Sequence, residues 1–309
     1  MGTPDFAVPS LSALINDNGF EVITVVTQPD KKIGRKQILT PTPVKNRAGE
    51  DNIPVLQPTN ISEIKKQLQQ YRPDIIVVVA YAQKIPKEIL DIPKYGVFNV
   101  HGSLLPKYRG ASCLQAPILN GDKKTGITIM KMDSGLDTGD ILAQKEIELT
   151  PQDTASTVHD RLAELGAGIL PRSLKSYIQG KAKTEPQNNS QASYVRTLKK
   201  EEGKIDWRKP AKEIERMVRA LNPWPGTYSY ANYPGGKKTI IKILEVEPKI
   251  LKINEYPNGT LFVDREEKLG VQCGENSLKI TKIQPEGKKP MSGEDLARGY
   301  KDLLGRPLE

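Results

Sequence analysis

Histidine and cysteine are scarce in this chain, with two of each among 309 residues. Cys113 and Cys273 stand far apart and cannot make a disulfide framework, and His101 and His159 form no cluster at metal-ligand spacing. A reduced protein without a metal is expected. Long apolar runs are also missing: none approaches the twenty residues a membrane span needs, and the mean hydropathy is −0.49. The opening MGTPDFAVPS has neither a basic n-region nor an apolar h-region, and Phe6 stands where a myristoylation signal requires Ser or Thr. A cytoplasmic location without membrane attachment is expected. No G-x-G-x-x-G follows a predicted strand, which argues against a dinucleotide-binding role.

Basic residues are plentiful. Lys and Arg number 46 against 37 Asp and Glu, a formal net charge of +9, which suggests an anionic partner without identifying one. The excess concentrates in residues 30–47, where Lys31, Lys32, Arg35, Lys36, Lys45 and Arg47 face only Asp30. Read from charge alone, this segment is either a solvated basic loop or a nucleic-acid contact.

The length accommodates two domains with separate cores. Residues 74–80 (DIIVVVA) and 21–27 (EVITVVT) are continuous β-branched runs, as expected of strands covered on both faces, and helix-compatible segments at 42–52 and 62–71 supply the crossovers a parallel sheet requires. Strands are further predicted at 96–100, 126–132 and 140–148, the last two in antiparallel or edge positions. Helices are predicted at 111–119 and 154–178, with Pro171 as a kink or break in the second. Residues 1–180 then form an α/β domain. A polar, aperiodic tract at 181–204 reads as a linker. Residues 205–309 begin with an amphipathic helix at 211–221 and continue with five short strands, which suggests a small OB-like β-barrel, a class often used on nucleic acid. Trp224, between two prolines, is expected to pack at the interdomain turn.

Chemistry concentrates in NVHGSLLPKYRG at 99–110 and SGLDTGDIL at 134–142. Asn99 ends an apolar strand, where α/β sheets place ligands, and its amide can hold a developing oxyanion. His101, two residues on, projects from the same face and is a ready proton carrier. Asp137, in a glycine-flanked loop, can orient a base or relay protons. The sequence Ser103, Leu104, Leu105, Pro106 offers backbone donors, acceptors and apolar walls to a flat heterocycle. Taken singly, each also has a purely structural account: a turn-forming Asn, a core histidine, an Asp turn, and a loop covering the sheet edge.

Taken together, in this order and spacing, these segments resemble the 10-formyltetrahydrofolate-dependent formyltransferase family. GTPDFAVPSL at Gly2, TQPDKKIGR at Thr27, TPTPVK at Thr40, VVAYAQKIP at Val78, NPWPG at Asn222 and QPEGKKPMSGEDLARGY at Gln284 extend the resemblance across nearly the whole chain, toward the members that formylate methionyl-tRNA. The resemblance implies a Rossmann-like formyltransferase domain followed by an OB-like tRNA-binding barrel. It implies Asn99, His101 and Asp137 as the catalytic trio, Ser103 to Pro106 lining the folate site, and the basic insertion with Lys31, Lys32, Arg35 and Lys36 reaching the acceptor end of initiator methionyl-tRNA. The expected enzyme is a monomer using 10-formyltetrahydrofolate as formyl donor.

Two departures stand out. Relatives have a short apolar strand before GTPDFA, so the first strand is missing from this sequence and a natural start several residues upstream is expected; burial of each large aliphatic residue contributes roughly 1.5 to 3 kcal/mol. Cys113 replaces a usual proline, which loosens the start of the following helix but removes no catalytic group. Competing readings are a folate formyltransferase for glycinamide ribonucleotide or an amino sugar, a formyltetrahydrofolate hydrolase, and a nucleic-acid-binding module with an inactive first domain.

Overall fold

β-branched runs become strands only where a neighbour supplies a ladder. In the computed structural model, which describes every residue except Arg35, Pro234, Gly235 and Lys237, the run at 21–27 contributes only β1 (Val25–Val26). The segment with Lys31, Lys32 and Lys36 forms a hairpin of β2 (Lys31–Ile33) and β3 (Ile38–Thr40), while Arg35 lies outside the described residues. β4 (Val55–Leu56) pairs parallel with β1, and β5 (Ile76–Val78) pairs parallel with β6 (Val97–His101). β7 (Arg109–Gly110) is a short separate strand. β8 (Lys124–Lys131) runs antiparallel to β6, and β9 (Ile141–Glu148) antiparallel to β8, the arrangement their alternating patterns predict.

Residues 1 and 2 join the two parallel pairs. Met1 donates to the Val77 carbonyl at 2.6 Å, Gly2 to the Val26 carbonyl at 2.9 Å, and Val79 to the Met1 carbonyl at 2.9 Å. Below them the space beside β1 is a cavity of about 140 Å³ lined by Phe20, Val22, Leu68, Ile75 and Val77. Residues 21–24 therefore lack a partner on that side and do not join the sheet.

The chain divides into two units: Met1–Cys113, Lys124–Glu148 and His159–Arg196 form one, and Leu114–Lys123, Leu149–Val158 and Thr197–Glu309 the other. In the first, α1 (Val8–Ile15), α2 (Pro43–Glu50), α3 (Lys65–Tyr71) and α4 (Lys87–Leu90) accompany the strands, and Thr42 caps α2 by accepting from the Lys45 amide at 3.2 Å. α5 (Gln115–Asn120) starts later than its predicted helix because Ala111 is drawn to the Val195 carbonyl and Ser112 Oγ to the Arg196 carbonyl. α6 (Ala155–Ile178) runs unbroken through Pro171.

Residues 181–196, expected to be linker, are built into the first unit. Glu185 exchanges backbone bonds with Ile141 at 2.8 Å, and β10 (Tyr194–Val195) pairs parallel with β7. This strap lacks apolar periodicity because hydrogen bonds, not hydrophobic burial, hold it.

The second unit is a mostly antiparallel sheet of β11 (Thr227–Asn232), β12 (Lys238–Val246), β13 (Leu261–Val263), β14 (Leu269–Gln272), β15 (Ser277–Pro285) and β16 (Met291–Ser292), in the order β11-β12-β15-β14-β13 with β16 on β15. Ile214 and Val218 of α7 (Ala211–Ala220) and Leu296 of α8 (Gly293–Gly299) share its core with Ile241, Ile243, Val271 and Ile280. Trp207 is buried there and donates from Nε1 to Ser229 Oγ at 2.8 Å. Trp224, expected to be packed, is 55% exposed.

Candidate active site

The period-2 alternation of a strand gives β6 two different faces. Phe98 and Val100 turn toward α6: the Phe98 and Tyr177 rings meet edge-on with centroids 5.1 Å apart, and a Cβ on Gly166 would crowd Val100 Cγ1. Asn99 and His101 therefore share the opposite face, at the carboxyl end of a strand flanked by β5 and β8. Asn99 is half-buried and His101 buried.

The chain leaves β6 through Ser103, Leu104, Leu105 and Pro106. Thr128 of β8 fastens this loop, donating from Oγ1 to the Ser103 carbonyl at 2.7 Å and accepting from the Leu105 amide at 3.1 Å. Gln144 of β9 adds bonds at 2.8 Å to the Leu105 carbonyl and to Thr128 Oγ1. Ser103 and Leu105 are buried, and Leu104 and Pro106 half-buried. Sequence reasoning found the loop but not Thr128 and Gln144, which carry no local signal and matter only through register.

His101 Nε2 donates to the Tyr108 carbonyl at 3.0 Å, a contact that fixes the Nε2 proton because a carbonyl only accepts. Asp137 Oδ2 lies 3.7 Å from His101 Nδ1 and accepts from the Gly110 amide at 2.7 Å. Cys113, buried, hydrogen-bonds the same imidazole. Burial disfavours the imidazolium, but the neighbouring Cys113 sulfur, the Asp137 carboxylate and the Tyr108 carbonyl outweigh it and raise the His101 pKa to about 9. Cys113 thus does more than relax a loop: it faces the one histidine of the site.

A second layer was invisible in the sequence. Arg109 is fully buried, and its guanidinium meets neutral partners: Gln187 Oε1 at 2.8 and 3.2 Å, Asn189 Oδ1 at 2.7 Å and Tyr194 Oη at 2.9 Å. Gln187 Nε2 in turn donates to the carbonyls of Asp137 at 2.9 Å and Gly139 at 2.7 Å.

The basic residues form a separate surface. Ile33, Ile38 and Leu39 of the hairpin are 58%, 60% and 62% exposed, beside exposed Lys31, Lys32 and Lys36. Asp30, the one acid of the segment, is taken up by Lys45 at 2.6 Å and Gln57 at 2.7 Å, and these bonds hold its carboxyl below the usual range. Among the described residues, Lys31, Lys32 and Lys36 make no ion pair. An exposed apolar tip ringed by uncompensated cations suits a polyanion with unstacked bases. No helix among the described residues is long and apolar enough to cross a membrane.

The family model described as formyl transferase matches residues 1–174, and that described as formyl transferase, C-terminal domain, matches residues 197–301. The methionyl-tRNA formyltransferase of Caldanaerobacter subterraneus subsp. tengcongensis is 44% identical over 303 residues, 97% of this chain and 96% of that protein. That of Bacillus velezensis is 44% identical over 317 residues, covering 100% of this chain and 98% of that protein. Among solved structures, the N-formyltransferase of Helicobacter canadensis in complex with folinic acid and dTDP-3-aminofucose superposes with a TM-score of 0.65 at 23% identity, over 92% of this chain and 97% of that one, a likeness of fold.

Proposed function

The chain belongs to the formyl transferase family, among its methionyl-tRNA formyltransferases, and from that premise we propose that it transfers the formyl group of 10-formyltetrahydrofolate to the α-amine of initiator methionyl-tRNA. The observation that carries this reading is the convergence of His101 and Asp137 beside Asn99 at the carboxyl end of β6. In the proposed reaction the neutral amine attacks the formyl carbon and gives a tetrahedral intermediate. The Asn99 amide and the His101 imidazolium stabilise its oxyanion, and the high pKa of His101 supports a cationic ring near neutral pH. The His101–Asp137 separation of 3.7 Å exceeds a hydrogen bond, so the carboxylate acts on the ring through its charge. Asp137 takes the proton shed by the attacking nitrogen, and that proton passes to N10 of the departing tetrahydrofolate. No covalent enzyme intermediate is required.

Ser103 to Pro106, held by Thr128 and Gln144, would line the folate site, and Lys31, Lys32 and Lys36 of the β2–β3 hairpin, with Arg35 from the same stretch of sequence, would meet the tRNA acceptor end. The proposal extends to a monomeric cytoplasmic enzyme without a metal. The test supplies 10-formyltetrahydrofolate with methionyl-tRNA, glycinamide ribonucleotide, a nucleotide-linked amino sugar or water. A formyl group gained by methionyl-tRNA supports the reading; preferential transfer to any other acceptor, including release of formate to water, overturns it.

A further inference from the structure

Asp137 is the only proposed catalytic group that the fold holds in the left-handed backbone region, at φ +53°. Such a conformation persists only where surrounding bonds over-determine it. Two sets of bonds do so here. The Gly110 amide grips the carboxylate from one side, and Gln187 Nε2 grips the backbone carbonyls of Asp137 and Gly139 from the other.

The Gln187 amide has no freedom left. Its oxygen accepts twice from Arg109, through Nε and Nη2, and its nitrogen donates twice to the loop, so all four hydrogen-bonding sites are used. Arg109 decides which way the amide points, since a cation accepts nothing and must face the oxygen. Burying a guanidinium among neutral acceptors is costly compared with pairing it to a carboxylate. A carboxylate at position 187 would relieve that cost, yet it would turn an oxygen toward two carbonyls and lose both donors. The fold keeps the amide, and what the amide adds is the grip on the loop.

We propose that Arg109 and Gln187 are positioning residues for the reaction: the guanidinium orients the Gln187 amide, and the amide clamps the Asp137–Gly139 backbone so that the Asp137 carboxylate faces His101. This assignment rests on the role given to Asp137 under the proposed function. The groups facing His101 are Asp137, Cys113 and the Tyr108 carbonyl, whereas Arg109 turns to Gln187, Asn189 and Tyr194 and acts on the ring only through the loop.

The experiment compares Gln187→Glu, Gln187→Leu and Arg109→Lys in the full chain. It follows kcat and KM for both substrates, thermal unfolding, and the titration of the His101 ring by NMR, assigned in a His159→Gln background. Gln187→Glu keeps a partner for Arg109 and so stays folded, while its kcat falls ten- to a hundredfold with both KM values within threefold of wild type. The His101 titration moves down from about 9 as Asp137 swings away. Arg109→Lys, which keeps the charge but loses the fork, falls between wild type and Gln187→Glu. If Gln187→Leu does not fold, the other two variants carry the test. Folded variants with lowered unfolding temperature but wild-type kcat and unmoved His101 titration overturn the proposal. The ring titration needs no substrate, so a wild type that formylates no methionyl-tRNA sinks the functional reading and leaves the clamp measurable by itself.

Discussion

Asp137 reaches His101 from across the Gly110 amide: one carboxylate oxygen, Oδ2, accepts that amide at 2.7 Å and lies 3.7 Å from the ring nitrogen Nδ1. One atom thus ties the loop after β8, the short strand β7 and the end of β6 together. The site is assembled by long-range bonds, and its parts are separable by substitution.

Asn99 is the first of these parts. Its half-buried side chain lies on the face of β6 away from α6, so truncation opens no apolar core. A preorganised oxyanion donor is worth about 3 to 4 kcal/mol in the transition state. Asn99→Ala is expected to lower kcat by about a hundredfold or more while the unfolding temperature stays near that of wild type. Wild-type turnover in the folded variant would remove Asn99 from the mechanism.

The raised pKa of His101 makes stability depend on pH with a definite sign. A group at about 9 in the folded chain and 6.5 in the unfolded one contributes stability that is fully present below 6.5 and is lost as pH rises through 9. The difference is on the order of 3 kcal/mol. Cys273, which burial pushes up to about 12, loses stability in the same direction but only above 9, so unfolding is best measured in a Cys273→Ala background. The expected result is a falling urea midpoint between pH 7 and 9.5 that flattens in Asp137→Asn and in Cys113→Ala. The alkaline limb of kcat/KM moves to lower pH in the same two variants.

The hairpin makes a prediction of another kind. Lys31 and Lys32 are exposed and unpaired among the described residues, and binding of a cation to phosphate releases counterions. Each alanine substitution is expected to weaken methionyl-tRNA binding about evenly across tRNAs and to reduce the slope of log K against log salt by about 1 for each phosphate no longer neutralised. Arg35→Ala is expected to narrow the kinetic preference for initiator over elongator methionyl-tRNA. Unchanged salt slopes and unchanged preference would detach the hairpin from tRNA.

How much of this was legible in the sequence varies with the range of the force involved. The strand at β6 and the helices α6 and α7 were readable because periodicity and β-branching are local. Asn99 and His101 were readable as a pair because two residues on one strand must share a face. Arg109 and Gln187 were not, since Gln187 lies in a polar tract with the composition of a linker, and only its burial against Asp137 and Gly139 reveals its work. The run at 21–27 yields less strand than its propensity predicts for a related reason: strand propensity is local, but a ladder needs neighbours, and residues 21–24 have none on the side of the cavity.

Gly110 offers the sharpest test of the strap formed by residues 185–195. It has φ +107°, and a Cβ there would strike the Val195 carbonyl across the β7–β10 pairing. Substitution must therefore shift either β10 or Gly110 itself. The first movement breaks the bond from Ala111 to the Val195 carbonyl, and the second withdraws the amide from Asp137. Backbone strain of this kind costs about 1 to 3 kcal/mol. Gly180 is the control, because it also has positive φ, +70°, but has nothing near its missing Cβ. Gly180→Ala is expected to cost about 1 kcal/mol of stability with turnover unchanged. Gly110→Ala is expected to lose more stability and at least about tenfold in kcat, because the clash at the strap and the hold on Asp137 meet in one residue. Equal behaviour of the two variants would mean that the strap only adds stability and does not help set the Asp137 carboxylate.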